Sequence, residues 1–148
     1  TTMNAYSNQY RNNQVMTAAP EQILIMLYDG AIRFVRQAGQ AIEDGRRADK
    51  SVAINKAMAI VAEFSNTLDF EAGGAIADDL YRLYDFVIHE LSAVNARSDH
   101  KRLEAVEQIL LDLREGFVGA IEKNRKTAVQ PPVFLGEGAE AGRVAASF

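Results

Sequence analysis

Apolar residues recur at three- and four-residue intervals in four separate stretches of this chain, and no stretch shows the apolar/polar alternation of a half-buried strand. One of these stretches carries Ile54, Ala57, Val61, Phe64 and Leu68. Only short segments separate the stretches, and short connections join helices that lie side by side and antiparallel. The pattern therefore predicts an all-α fold, an antiparallel up-down four-helix bundle.

Residues that favour helix ends set the predicted boundaries. Pro20 is tolerated at the first position of a helix, and Gly45 follows the first apolar stretch. Ser98 or Asp99 can cap the start of the fourth helix. The predicted helices are 20–44, 50–68, 76–96 and 99–124, each about 30 to 37 Å long. The predicted core-facing stripe of the third helix is Ile76, Leu80, Tyr84, Val87, Leu91 and Val94.

The two ends of the chain differ in composition from the bundle. Residues 1–19, rich in Asn, Gln and Tyr, are predicted to form an N-terminal capping segment, and residues 20–124 to form the bundle. Residues 125–148 contain Pro131, Pro132 and three glycines among small residues, so we expect an extended C-terminal tail. The apolar residues of this tail include Val133, Phe134, Leu135 and Phe148, which need a surface to pack against.

Composition excludes several classes of function. The absence of cysteine excludes disulfides and thiolate metal sites. A formal net charge of -4, with acidic and basic residues spread along the chain, provides no basic stripe for nucleic acid. No apolar run reaches the roughly 18 residues that a membrane span needs, and the N-terminus lacks the features of a signal peptide. We therefore expect a cytoplasmic protein without membrane insertion.

The residues that metal or acid-base chemistry would need are sparse. A di-iron site in a four-helix bundle requires Glu-x-x-His motifs, and neither His89 nor His100 completes one. The acidic segment Asp69–Gly74 lacks the ligand spacing of a calcium loop and is predicted to be a turn. The sequence thus predicts no enzyme activity, no catalytic residue, no metal site and no cofactor.

Each predicted helix carries more apolar residues than a bundle core requires. In the first helix the six consecutive residues Ile23–Tyr28 cover the whole circumference, whereas a bundle helix needs an apolar stripe little more than 100° wide. Loops and terminal segments could cover the excess on one helix. An excess on all four favours a groove for a partner helix, because monomers seldom leave large apolar patches without a use.

The second and third helices are predicted to share that groove. Its predicted lining residues are Ile54, Met58, Val61, Leu83, Val87 and Leu91, some of which could instead belong to the core. Tyr6 and Tyr10 lie one helical turn apart in the N-terminal segment, where they could dock reversibly; a frayed terminus is the alternative interpretation. A self-associating bundle, present as a homodimer, is an alternative use of the same apolar surface.

Two sets of residues resemble a known family. The first is the stretch from Tyr10 to Gln22, which reads YRNNQVMTAAPEQ, followed by Leu27-Tyr28-Asp29-Gly30-Ala31. The second is Leu68-Asp69 with Gly73-Gly74, then Leu80 with Leu83-Tyr84-Asp85. Together they resemble the flagellar secretion chaperone family FliS over residues 4–122. Two positions depart from the family pattern: Ala19 replaces a polar helix cap, and Phe117 replaces a larger aromatic residue.

The resemblance implies a function and a set of partners. Members of this family bind the disordered C-terminal segment of flagellin in apolar grooves, prevent premature polymerisation, and deliver the subunit to the flagellar type III export apparatus. An export-gate component and other flagellar regulators are further partners that the resemblance implies. It also assigns Tyr10, Gln14 and Val15 to a cap over the client groove, with Tyr6 as a second anchor.

Overall fold

A computed structural model describes residues 19–127, which form four α-helices and, within that range, no strand. Helix α1 is Pro20–Glu43, α2 is Arg47–Asn66, α3 is Phe70–Arg97 and α4 is His100–Thr127. Each helix packs against the next one along the chain, and α4 packs against α1 to close the ring. The predicted all-α four-helix bundle is confirmed.

The ends of the helices follow local backbone chemistry. After α1 the backbone N–H of Arg46 donates to the carbonyl of Ala41, and Gly45 takes a φ of 71°, a combination that ends many helices. The carboxylate of Asp69 accepts from the backbone N–H of Ala72 at the start of α3. At the start of α4, the carboxylate of Asp99 accepts from the backbone N–H of Arg102. Of the two predicted capping residues, Ser98 and Asp99, Asp99 is therefore the one that caps α4.

Helix boundaries differ from the predicted ones by three residues or more in three places. Helix α2 begins at Arg47, three residues before the predicted start, and α4 continues to Thr127, past the predicted end at Asn124. The predicted turn at Asp69–Gly74 is instead mostly helical, because α3 begins at Phe70. The start of α1 at Pro20 is as predicted, and Ala19 provides no side-chain cap.

Polar bonds join α2 to α3 near the C-terminal end of α3. Lys50 is buried, and its ammonium donates to the backbone carbonyl of Asn95 at 2.9 Å and to the hydroxyl of Ser98 at 2.8 Å. The hydroxyl of Ser51 donates to the amide oxygen of Asn95 at 2.8 Å. A cation near the last carbonyls of a helix is favoured by the helix dipole, so these bonds stabilise the end of α3 and fix its register against α2.

Four aromatic rings, one from each helix, meet in the core. Tyr28 of α1 stacks on Phe64 of α2 at a centroid distance of 4.3 Å, and Phe64 lies 5.6 Å from Tyr84 of α3. The ring of Phe117 in α4 lies 5.4 Å from that of Tyr28. The hydroxyls of Tyr28 and Tyr84 form a buried hydrogen bond of 2.7 Å. Each buried hydroxyl thereby has a partner, which avoids the cost of an unsatisfied polar group.

Burial makes both phenols resist ionisation. The pKa of Tyr28 rises far above its usual value, mainly because burial disfavours the phenolate and also because Tyr84 lies beside it. Burial raises the pKa of Tyr84 to about 12, although the hydrogen bond from Tyr28 acts in the opposite direction. An unfolded tyrosine ionises near pH 10. The stability that these groups contribute is therefore fully present below about pH 10 and is lost as the pH rises through 10 to 12.

We predict that replacing both tyrosines by phenylalanine reduces the alkaline loss of stability. Between pH 9 and pH 11, the free energy of unfolding of the native protein should fall more steeply than that of the Tyr28→Phe/Tyr84→Phe variant. The difference should approach about 1.4 kcal/mol per pH unit above pH 10 for each tyrosine. Urea unfolding at both pH values measures it, with pH 7 as the reference. Equal losses in the two proteins would contradict the pKa shifts.

Candidate protein-binding surface on helix α3

Helix α3 exposes large apolar side chains along its length. Phe70, Ile76, Tyr81 and Phe86 are the large apolar residues of α3 that are clearly exposed, with between 47% and 61% of each residue accessible. Leu83 and Ile88 are half-buried. A helix inside a bundle normally turns such residues toward its neighbours, so α3 has apolar surface that its own bundle does not cover.

One flank of α3 faces α2. Asn95 hydrogen-bonds to Ser51 of α2, and residues at seven-residue intervals share a face of a helix, so Ile88 and Tyr81 lie on the same flank as Asn95. By the same spacing, Met58 lies on the flank of α2 that carries Ser51. The ring of Phe70 contacts that of Tyr81 edge-on at 6.0 Å. We call the surface formed by Met58, Phe70, Tyr81 and Ile88 the α2/α3 face.

The other flank of α3 faces α4. Glu90 forms an ion pair with Arg102 of α4, with 3.5 Å between Oε2 and Nε, so Leu83 and Ile76, seven and fourteen residues before Glu90, lie on this flank. Phe86 lies one turn from Glu90 on the same side. Counting from Arg102, the antiparallel register brings Ile109 opposite Leu83 and Gly116 opposite Ile76. We call the channel formed by Ile76, Leu83, Phe86, Ile109, Leu113 and Gly116 the α3/α4 groove.

The α3/α4 groove is open because α4 contributes small residues where α3 contributes large ones. Gly116, Gly119 and Ala120 are exposed, and a Cβ atom added at either glycine would meet nothing within 4 Å. Of the four neighbouring helix pairs, α3 and α4 are also the least extensively packed. Ile76 therefore faces open space, and its residue is 61% exposed.

The structure divides the six predicted groove residues into two groups. Ile54, Val61, Val87 and Leu91 have 0% exposure and belong to the core, because they lie on the inward stripes of α2 and α3. Their assignment to an open groove is therefore corrected. Met58 and Leu83 are half-buried and keep some accessible surface, Met58 on the α2/α3 face and Leu83 in the α3/α4 groove.

One residue of the predicted core-facing stripe of the third helix, Ile76, is not in the core. Ile76 was expected in the core, but Ala77 is the buried residue and Ile76 points outward. Ile76 and Ala77 lie four and three residues before Leu80, so helical spacing allows either one to face the core. The prediction chose Ile76 because its side chain is larger, and this choice is wrong. Phe70, Tyr81 and Phe86 were not among the predicted site residues. Phe86 appears in the sequence as one of the excess apolar residues of α3, and this signal could have identified it.

The excess apolar residues of the other helices have several locations. In the Ile23–Tyr28 run, Ile23, Leu24 and Tyr28 are buried, and the three residues between them are half-buried. Ile60 of α2 belongs to the core, whereas Ile109 and Leu111 of α4 are partly buried against it. The bundle thus covers much of the excess on α1 and α2, and α3 keeps the largest exposed share.

The predicted cap residues Tyr6, Tyr10, Gln14 and Val15, and the apolar residues of the tail, lie outside the described residues. The chain enters the bundle at Pro20 and leaves it at Thr127. Antiparallel packing puts these two points at the same end of the bundle, together with the start of α3. Both terminal segments therefore begin at the end of the bundle where Phe70 is exposed.

The opposite side of the bundle is polar. Arg114 of α4 forms a two-point hydrogen bond to the carboxylate of Asp29 in α1, and Arg36 pairs with Glu107 at 3.5 Å. Asp29, Arg36 and Arg114 line a cleft between α1 and α4, and all four side chains are partly exposed to water. Exposed ion pairs contribute about 0 to 1 kcal/mol each, so this cleft fixes the orientation of α4 more than it stabilises the bundle.

Within residues 19–127 no group of three His, Asp or Glu side chains is arranged to hold a metal ion. His89 is exposed and hydrogen-bonds to the backbone carbonyl of Asp85, and His100 is the first residue of α4. None of the four helices combines the length and the apolarity that crossing a bilayer requires.

Fold and surface together define a small helical-bundle protein whose third helix is incompletely covered on its apolar flanks. The sequence model of the family described as "Flagellar protein FliS" matches residues 2–124, which is most of the chain. The chain therefore belongs to the FliS family of flagellar secretion chaperones. Because the relatives are chaperones, a class without catalytic activity, the protein is not an enzyme.

Individual relatives agree with this assignment. The flagellar secretion chaperone FliS of Salmonella typhimurium is 36% identical over 114 residues, covering 76% of this chain and 84% of that protein. Its counterpart in Bacillus subtilis is 32% identical over 117 residues, covering 79% and 86%. A solved structure described as a flagellar chaperone from bacteria superposes with a TM-score of 0.66 at 25% identity, covering 83% of this chain and 99% of that one.

The backbone at Gly74 allows Phe70 to contact Tyr81. Gly74 has φ 50° and ψ -123°, which breaks the helical geometry of α3 between its first turn and the rest of the helix. Residues with a Cβ atom are strained in that region, and such strain costs on the order of 1 to 3 kcal/mol. The break separates the turn that carries Phe70 from the continuous helix that carries Ile76 and Tyr81.

We predict that Gly74→Ala lowers the free energy of unfolding by about 1 to 3 kcal/mol, because alanine is strained at this φ. Gly119→Ala is the matched control. Both glycines have open space where the Cβ would be placed, but Gly119 lies inside regular helix, so alanine there should raise stability by about 0.5 to 1 kcal/mol. Urea unfolding of the two variants measures the difference. Equal effects would show that the backbone at Gly74 is not strained by a side chain.

Proposed function

We propose that this protein binds the C-terminal segment of flagellin in the bacterial cytoplasm, prevents its premature polymerisation, and delivers it to the flagellar type III export apparatus. The observation that carries the proposal is the exposed apolar surface on both flanks of α3 in a member of a flagellar secretion chaperone family. An amphipathic client helix lying along α3 would place its apolar residues on this surface.

The size of the apolar surface is consistent with a client that folds as it binds. Burying a large apolar side chain contributes about 1.5 to 3 kcal/mol, so completing the burial of the four half-exposed residues of α3 contributes on the order of 3 to 6 kcal/mol. Ordering a disordered segment costs about 2 to 5 kcal/mol or more. The free energy gained by burial and the free energy cost of ordering are similar. For net binding, a client must therefore also contact the half-buried residues Met58, Leu83 and Ile88. The client must therefore contact both flanks of α3.

The N-terminal segment is proposed to cover the α2/α3 face in the empty protein. Tyr6, Tyr10, Gln14 and Val15 are the residues assigned to this role, and the segment that carries them enters the bundle at the end where Phe70 and Tyr81 are exposed. A tyrosine ring can pack on an apolar surface while its hydroxyl remains in water, which suits reversible docking. A client would then displace the segment, and the apolar surface would be covered in both states.

The alternative use of the same surface is self-association into a homodimer. Light scattering on the protein alone and with flagellin separates the two functions. A 1:1 complex with flagellin is the outcome that the proposal requires, whereas a dimer that persists unchanged in the presence of flagellin would favour self-association. An export-gate component and flagellar regulators remain proposed partners for other surfaces of the bundle.

We predict that Tyr81→Ser weakens flagellin binding without unfolding the bundle. Truncation of a central interface residue commonly costs more than 1 kcal/mol, which corresponds to at least about a fivefold rise in Kd. Val52→Ser is the matched control, because Val52 is similarly exposed but lies on α2 beside residues of α1. Calorimetric titration with intact flagellin measures both affinities, and flagellin lacking its C-terminal segment should not bind. Equal affinities for the two variants would exclude the α2/α3 face.

We also predict that flagellin makes the N-terminal segment more susceptible to protease. If the segment is displaced, cleavage near Tyr10 should become faster when intact flagellin is added, because the chain must be extended to enter a protease. Mass spectrometry of the fragments locates the cleavage. Flagellin lacking its C-terminal segment is the control and should leave the rate unchanged. A rate that intact flagellin does not raise would contradict the displacement.

A further inference from the structure

We propose that the apolar segment Val133–Leu135 of this chain's own C-terminal tail packs into the α3/α4 groove. The groove lies along α4, the helix from which the tail continues, and the tail has one group of consecutive large apolar residues. The inference concerns the empty protein and needs no client, so it does not depend on the proposed function.

The geometry of α4 puts the start of the tail within reach of the groove. Gly116 lies opposite Ile76, and α4 continues for eleven residues beyond Gly116 to Thr127, a distance of about 16 Å along the helix axis. Six extended residues from Thr127 to Val133 span about 20 Å. This length is sufficient for the chain to reverse direction and bring Val133 back to the level of Ile76.

The sequence after α4 favours such a reversal. Pro131 and Pro132 cannot continue the hydrogen-bonded helix, and the residue before a proline is restricted to extended backbone, so α4 must end before them. Val133, Phe134 and Leu135 follow directly, and Gly136 comes next. An apolar triplet therefore stands at the first position from which the returning chain can reach the groove.

The groove matches the triplet in chemistry and in size. Ile76 and Phe86 are exposed on one wall, Leu113 is partly buried on the other, and Gly116 leaves open space between them. Ten residues of α3 separate Ile76 from Phe86, about 15 Å of groove, whereas three extended residues occupy about 10 Å. The triplet fits within this length and would remove the exposed part of Ile76 from water.

A second copy of the chain could supply the same segment, but the reach argument favours the chain's own tail. The linker between Thr127 and Val133 is just long enough to return to the groove of its own bundle. A short linker that spans its site produces a high effective concentration, which a segment from another molecule does not match at ordinary protein concentrations.

Disulfide trapping in the full-length chain tests the proposal, because the protein contains no cysteine of its own. One cysteine replaces Gly136, directly after the triplet, and the other replaces Asp79 on the groove side of α3. The matched control places the second cysteine at Asp78. The two aspartates are adjacent, exposed and equally charged, but Asp78 points away from α4 because consecutive helical residues differ by 100°.

We expect the intramolecular disulfide of the Gly136→Cys/Asp79→Cys protein to form at least about tenfold faster than that of the Gly136→Cys/Asp78→Cys protein, since docking raises the effective concentration on one flank. Adding Phe134→Ser should remove the difference. Non-reducing electrophoresis and mass spectrometry identify the products. Equal rates for the two pairs, a difference that persists with Phe134→Ser, or disulfides formed only between chains would each overturn docking of the tail on its own bundle.

Discussion

The meeting of four aromatic rings in the core determines how the helices are rotated. Tyr28, Phe64, Tyr84 and Phe117 come one from each helix, and the 2.7 Å bond between the two tyrosine hydroxyls allows little rotation of α1 or α3. A rotation that separated the hydroxyls would leave two buried polar groups without partners, at a cost of about 1 to 3 kcal/mol each. With Tyr84 directed inward, Tyr81 and Leu83 necessarily lie on opposite flanks of α3. The orientation of the exposed apolar residues of α3 therefore depends on a hydrogen bond that is buried in the core.

The two ends of the bundle have different roles. At one end, Lys50 and Ser51 join α2 to the last turns of α3, and Glu90 pairs with Arg102 of α4. At the other end, Gly74 interrupts α3, large apolar residues are exposed, and both terminal segments begin. Polar bonds have directional requirements and fix register, whereas apolar contact is non-directional and accepts different occupants. In the proposed function, this division would allow one end to remain fixed while the other exchanges its partners.

The proposed function requires the protein to hold an exported chain and then release it. An exposed apolar surface favours capture, but in an empty protein it also favours aggregation. Segments of the chain itself, the N-terminal residues on the α2/α3 face and the tail in the α3/α4 groove, would cover the surface between clients. In the two proposals each segment is tethered to the bundle, so it would compete at high effective concentration and lower the net affinity for the client. Moderate net affinity would suit the proposed delivery of the client to an export apparatus.

The sequence alone determined the fold class, the number of helices, the start of α1 at Pro20 and the family, and it limited the cap of α4 to Ser98 or Asp99, because helical periodicity, capping residues and motifs are local in the chain. It also indicated that α3 carries more apolar residues than a core needs. Only the tertiary structure decided which of these residues are accessible. Ile54, Val61, Val87 and Leu91 are in the core, and Ile76 is exposed while Ala77 is buried. Hydrophobicity and spacing describe a single helix, whereas the accessibility of a side chain depends on how close the neighbouring helices come. In the α3/α4 groove the accessibility of Ile76 depends on glycines of α4, about forty residues later in the chain.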